Sequence, residues 1–446
     1  MENKYANIPS AKSINPFKNI FLLMKNARAF IHQKHEELGH VWEDKILGRR
    51  IISTRDPELI KYVAINRGNY IRSKKAEVIK LALGEGLVTS EGELWKHQRK
   101  LIQPAFHMQS LVKLFDIMKA EVSTFLDELE AYRGQVIDLH QIFMDITGRV
   151  VFKAMFSDAP AQDISSFYEI MTSGQRYIDK QLRNPLAKYW LAINGQTKKF
   201  DRDKKYLDDL LLATAAKRRA SGEKKDDLLQ MLMDSTYEDS NEFMSERQLL
   251  DELFTIFAAG HETSSNSLTW IMYLLNQYPE TVEKMNAEIK SIAGDKLPDF
   301  KQLKEMNYLQ QIIDEGMRIH PAVWLISRQA IADDEFQGLK INSGDIINLC
   351  IYSLHHNPDI YDEPEKFNPS RFTHKEKKKL EKDFAFFPFG GGPRRCIGSM
   401  FAIMEIQLIL TGLFQRFSFK HYENQKVEME AMLTMQPKYG LKSHIF

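Results

Sequence analysis

The stretch from Ser245 to Tyr278 constrains the fold most. Gln248 follows Ser245 by three residues, the spacing of a helix-starting capping box. Apolar residues then recur at Leu249, Leu253, Phe257, Leu268, Ile271 and Leu275, and Pro279 is expected to end the helix at Tyr278. That is roughly 50 Å of helix, enough to cross a whole domain. Asp251, Glu252, His261 and Glu262 interrupt it, so it is not a membrane span.

Helical periodicity dominates elsewhere too. Short strand-like pieces fall early, at Val41–Ile46 and Arg50–Thr54, and late, at Ser327–Ile331 and Ile346–Cys350. The expected class is mainly α with small β-sheets, not an alternating parallel α/β chain. Length alone suggests about three domains. One domain over residues 1–446 is expected instead, because motifs from one end need partners near the other. Ala216–Lys225 and the lysine-rich Lys375–Lys382 read as solvated surface. Lys plus Arg (61) nearly cancel Asp plus Glu (60), which gives no reason to expect a nucleic-acid partner. Met1–Pro16 is polar, and Ile20–Met24 is far short of the roughly 20 apolar residues a bilayer span needs. A cytoplasmic protein without a membrane anchor is expected.

With only two cysteines, Cys350 and Cys396, a disulfide framework and a multi-thiolate zinc site are excluded. Cys396 closes the run Phe389-Gly390-Gly391-Gly392-Pro393-Arg394-Arg395-Cys396-Ile397-Gly398, and an apolar helical pattern follows it directly. A helix N-terminus favours a thiolate, and glycines let backbone amides approach the sulfur. A lone thiolate suits an axial ligand of haem iron better than tetrahedral zinc. A phosphate loop would need Gly-Lys-Ser/Thr where Arg-Cys-Ile-Gly stands.

This run resembles the haem-binding signature of the cytochrome P450 family, Phe-x-x-Gly-x-Arg-x-Cys-x-Gly, at every fixed position, with Phe389, Gly392, Arg394, Cys396 and Gly398. The resemblance extends from Trp95 onward and implies the P450 fold. Haem b would then be buried between the long central helix and the helix after the cysteine, with Cys396 as the iron ligand. Glu315 and Arg318 share a helix face, and Asn368-Pro369-Ser370-Arg371-Phe372 resembles the family's Pro-x-Arg-Phe segment. The resemblance makes Glu315, Arg318 and Arg371 a buried structural network. It makes Trp95, Arg99, Arg328 and Arg394 holders of the propionates, with His355 a weaker candidate.

Ala259-Gly260-His261-Glu262-Thr263-Ser264 resembles the family's oxygen-activation motif. Gly260 clears space for a flat cofactor. The Thr263 hydroxyl can bond the Ala259 carbonyl and open the helix for a water. Glu262 is suited to relaying protons, and His261 is read as structural. The resemblance implies a monooxygenase that inserts one atom of O2 into a lipophilic substrate by hydroxylation or epoxidation. Its pocket would take in Leu81–Val88 (with Leu87), Phe257, Ala258, Ala322–Leu325 (with Val323) and Leu433–Thr434. Gly86–Phe106 is similar to fatty-acid hydroxylases of the family, with terpenoids and polyketides as rival substrates. No electron-transfer domain is fused here, so a ferredoxin or flavodoxin with its NAD(P)H-dependent reductase is expected. It would dock on Lys96, Lys100, Arg395 and the lysines of Lys375–Lys382. A peroxide-driven enzyme and a haem-binding sensor or carrier are the alternatives. The first often lacks the acid–threonine pair, and the second usually carries an output domain.

Overall fold

The computed structural model describes all residues except 1–2, 12–15, 47, 74–75, 158–160, 185 and 238–240. The chain is mainly helical, with four small sheets among the described residues. The central helix spans Glu246–Leu275, roughly 45 Å. Ser245 Oγ accepts from the Gln248 N–H at 3.2 Å, but Gln248 Oε1 accepts from the Tyr237 hydroxyl, so no reciprocal bond closes the expected capping box. The helix stops three residues short of Tyr278. Asn276 caps it, and Pro279 opens the following helix, Pro279–Ala293, where its missing N–H costs nothing.

All six apolar positions of the predicted stripe are buried. They pack the central helix against Leu139–Met155, Asn307–Ile319 and Ser399–Arg416. Gly316 makes the close approach to Asn307–Ile319 possible, because a Cβ there would stand 2.5 Å from Ile271 Cγ1.

The four strand-like pieces converge in one five-stranded sheet. Its order is Val41–Ile46, Arg49–Thr54, Ile346–Leu349, Ile326–Ala330 and Tyr70–Arg72. Arg49–Thr54 runs parallel to Ile346–Leu349, so the two ends of the chain close on each other. The edge strand Tyr70–Arg72 was not anticipated. Its register sets Arg72 opposite Arg328. The helix Gly92–Ile102 carries Trp95 and Arg99, and the helix Ser399–Arg416 follows the cysteine loop. No helix of the described residues is long and apolar enough to cross a membrane.

Candidate active site

The cysteine loop is folded by its own backbone. The Cys396 N–H donates to the Phe389 carbonyl at 2.9 Å, and the side chain of Phe389 packs on the main core. Gly392 has φ +63°, and a Cβ there would stand 2.7 Å from the Ala64 carbonyl oxygen, so glycine is required. Cys396 is accessible, yet burial pushes its thiol pKa up. The Gly398 N–H, Arg99 and Arg395 pull the other way and favour the thiolate. Cys350 is buried, and desolvation pushes its thiol up to about 12, outweighing Thr54, Ser53 and Arg55.

Arg394 leaves the loop toward the sheet edge. Its guanidinium lies 4.3 Å from the Trp95 ring, donates to the Ser90 carbonyl at 3.0 Å and pairs with Glu91. Arg72 and Arg328 stand beside it. Desolvation and then Arg72 and Arg394 push Arg328 down to about 9, opposed by Glu91. Desolvation and Arg72 hold Arg394 down at about 10. Arg72, Arg328 and Arg394 thus gather around the carboxylate Glu91, Arg67 stands 4.7 Å from the same Trp95 ring, and the group calls for an anion. The two propionates of haem b fit that demand, and a thiolate such as Cys396 fits its iron. Arg99, expected with this group, instead donates to the Arg395 carbonyl at 3.0 Å, and its charge neighbours Cys396. One turn of helix separates it from Trp95 and carries it to the cysteine loop.

Arg72 and Arg328 of this group line a cavity of about 1400 Å³, together with Phe257, Ala258, Thr263, Val323 and Leu433, among others. Thr263 Oγ1 donates to the Ala259 carbonyl at 2.6 Å, as its spacing suggested. Glu262 is buried, and its carboxyl pKa is raised by desolvation against hydrogen bonds from Thr434 and Gln175. It is therefore held inside the protein rather than open to solvent. His261 is tied through Nε2 to the Met144 carbonyl at 2.9 Å, and burial lowers its pKa to about 4. Leu87, expected in the pocket wall, packs on the main core, while its neighbours Leu83 and Val88 line the cavity. The Leu87 amide is held by Glu252, which fixes the direction of the segment.

Glu315 and Arg318 form a fork-to-fork pair at 2.7 and 2.9 Å with neither side chain exposed. Arg371 Nε lies 3.4 Å from Glu315 Oε1, and the Asn368 N–H donates to the same oxygen at 2.9 Å. Arg318 Nη1 donates to the His355 carbonyl at 2.8 Å, and His355 Nε2 accepts from the Phe387 N–H at 2.9 Å. The network so reaches the start of the cysteine loop through His355. Burial and the adjacent Arg318 hold that imidazole neutral, with its pKa near 3. His355 thus serves the loop and does not join the Arg72–Arg328–Arg394 group.

Two groups escaped sequence reasoning. Arg72 sits in a three-residue strand, too short for a pattern. Glu405 lies within an apolar helix, fully buried, and desolvation raises it to about 8, opposed by Ser264 of the central helix.

The sequence matches a family model described as cytochrome P450 over residues 9–443. It is 29% identical over 413 residues to a putative cytochrome P450 132 of Mycobacterium tuberculosis, covering 88% of this chain and 87% of that one. It is 27% identical to a cyclooctat-9-en-7-ol 5-monooxygenase of Streptomyces melanosporofaciens (82% and 79% covered). It is 26% identical to the protein LUTEIN DEFICIENT 5, chloroplastic, of Arabidopsis thaliana (99% and 77% covered).

Proposed function

The chain belongs to the cytochrome P450 family and is a haem b oxidoreductase that incorporates oxygen, and from that premise we propose that it hydroxylates or epoxidises a lipophilic substrate in the cavity above Thr263. Its catalytic domain takes up the whole chain, with haem between the central helix and the cysteine helix. The observation that carries this reading is the surplus of guanidinium charge at Arg72, Arg328 and Arg394, the last of them two residues before the accessible Cys396.

Haem, when bound, supplies the redox chemistry on dioxygen. Cys396 holds its iron, with the Gly398 N–H tuning the sulfur. Arg72, Arg328 and Arg394 hold the propionates, with Trp95 as the floor under Arg394. Thr263 holds a water through its hydroxyl, and Glu262, whose carboxyl pKa burial raises, is placed one residue away to relay a proton. Phe257, Ala258, Val323 and Leu433 give the substrate an apolar wall. The likeness to a monooxygenase named for cyclooctat-9-en-7-ol supports a lipophilic carbon skeleton. Fatty acids and polyketides are the further substrate classes to screen.

Thr263→Ala is the test. It is expected to keep haem content and the ferrous–carbonyl spectrum while product per NAD(P)H falls about ten-fold or more and hydrogen peroxide accumulates. Full coupling in that variant would show that the hydroxyl is not needed. Product formed only with added peroxide in the wild type would favour the peroxide-driven alternative.

Electrons come, in this reading, from an acidic ferredoxin or flavodoxin with its NAD(P)H-dependent reductase, in a reducing cytoplasm that suits two free cysteines. Lys96 and Arg395 are already paired with Glu93 and Glu381, and Lys377 holds the buried Asp314 at 2.7 Å. Lys375, Lys378, Lys379 and Lys382 are exposed and carry most of the attraction. The reduction rate is expected to fall about ten-fold from low to high salt, and to fall likewise when these four lysines become glutamate. A rate indifferent to both would remove the docking surface.

A further inference from the structure

Asp251 and Glu252 enter the sequence as charges that break an apolar helix, yet both are buried. Each accepts a backbone amide from one short segment. The Glu85 N–H donates to Asp251 Oδ2 at 2.8 Å and the Leu87 N–H to Glu252 Oε2 at 2.9 Å. The segment is a strap, Gly84–Glu91, between the helices Ala76–Leu83 and Gly92–Ile102. Its glycines let it lie directly on the central helix. A Cβ on Gly84 would stand 2.0 Å from Asp251 Oδ1, and one on Gly86 2.2 Å from Thr255 Oγ1. Gln98 Nε2 grips the strap from the other side through the Glu85 carbonyl at 2.6 Å, and Thr89 Oγ1 closes it on the Gly84 carbonyl at 2.6 Å.

The segment is fixed at three points and closed on itself by a fourth bond, and its far end holds Arg394. The Ser90 carbonyl accepts from Arg394 Nη1 at 3.0 Å, and Glu91 pairs with Nη2. Burying two adjacent carboxyls is costly unless they are hydrogen-bonded; Asp251 gives one oxygen to the strap and the other to Arg247, and Glu252 gives one to the strap. We propose that Asp251 and Glu252 are positioning residues of the haem site: by fastening Gly84–Glu91 to the central helix they fix where Ser90 and Glu91 hold Arg394 at the propionate end. The proposal rests on the reading of Arg394 as a propionate holder. Desolvation raises Glu252 to about 8, so near neutral pH it serves mostly as an uncharged acceptor, a role glutamine can fill.

The test is the rate at which ferric protein surrenders haem to excess apomyoglobin. Glu252→Leu is expected to speed transfer about ten-fold through the lost buried acceptor. Glu252→Gln should stay near the wild-type rate. Arg394→Ala should also speed transfer, and adding Glu252→Leu to it should then change little, because the acid acts through that arginine. Equal acceleration by Glu252→Leu in both backgrounds would overturn the positioning role and leave only general stability. An Arg394→Ala rate equal to wild type would instead overturn the propionate reading itself. If Glu252→Leu does not fold, Gly86→Ala wedges the strap with both acids in place. The same acceleration and the same dependence on Arg394 are expected of it, and a wild-type rate in that variant would refute the proposal.

Discussion

Glu315→Ala and Arg318→Ala are each expected to give protein without haem, or no soluble protein. Removing Glu315 leaves the fully buried Arg318 guanidinium with only the His355 and Lys366 carbonyls as acceptors, and it orphans the Asn368 N–H. A stranded buried charge of this kind costs about 3–5 kcal/mol, against a typical total stability of about 5–15 kcal/mol. The damage is also directed. Arg318 steadies His355, and His355 takes the Phe387 N–H at the start of the cysteine loop. Arg318→Lys should fail as well, because a single ammonium cannot reproduce the two-pronged bond to Glu315. The haem-to-protein ratio after purification decides the outcome. Normal ratios in both alanine variants would refute the bracing role.

Cys396→Ala is expected to abolish thiolate ligation altogether, while Cys350→Ala leaves it intact. The two thiols differ in surroundings. Cys396 is accessible and faces the Gly398 N–H with Arg99 and Arg395 nearby. Cys350 is enclosed, its sulfur 3.5 Å from the Asn348 carbonyl, and desolvation outweighs Thr54, Ser53 and Arg55, so that its pKa near 12 keeps it protonated at any physiological pH. The absorbance of the reduced protein under carbon monoxide reads the ligand directly. Loss of the thiolate-type band in Cys350→Ala, with its retention in Cys396→Ala, would reverse the assignment.

Features with local signatures could be read from the sequence. The central helix announced itself through its apolar period, and the cysteine loop through glycines and an arginine at fixed spacing. Four strands of the main sheet were recognisable, and Glu315, Arg318 and Arg371 are brought together as expected. What escaped depends on pairings distant in sequence. Nothing near Arg72 shows that it will stand across from Arg328, because that register is set only when the sheet closes. His355 was considered for the propionates and serves the loop instead, since its partner Phe387 comes from another part of the chain. Arg99 shares a helix face with Trp95, but the twist of that face toward the cysteine loop is a tertiary matter. Asp251 and Glu252 could be read only as interruptions until the strap was seen lying on them.

The register of Arg72 against Arg328 bears on the order of assembly. Like charges directly opposite each other weaken a strand pair, and this pair is the last in its sheet, with Tyr70–Arg72 on the open edge. The edge strand is held instead by the buried Tyr70, whose hydroxyl donates to Asp334 at 2.6 Å, and by the Arg72 N–H, which donates to Glu91 at 2.9 Å, and an anion between the guanidiniums would relieve the remaining repulsion. Protein without haem would be expected to fray first at this margin, where trypsin-like proteases could cut after Arg67 and Arg72. Haem supply during synthesis would then govern how much intact protein survives, separately from how much is active.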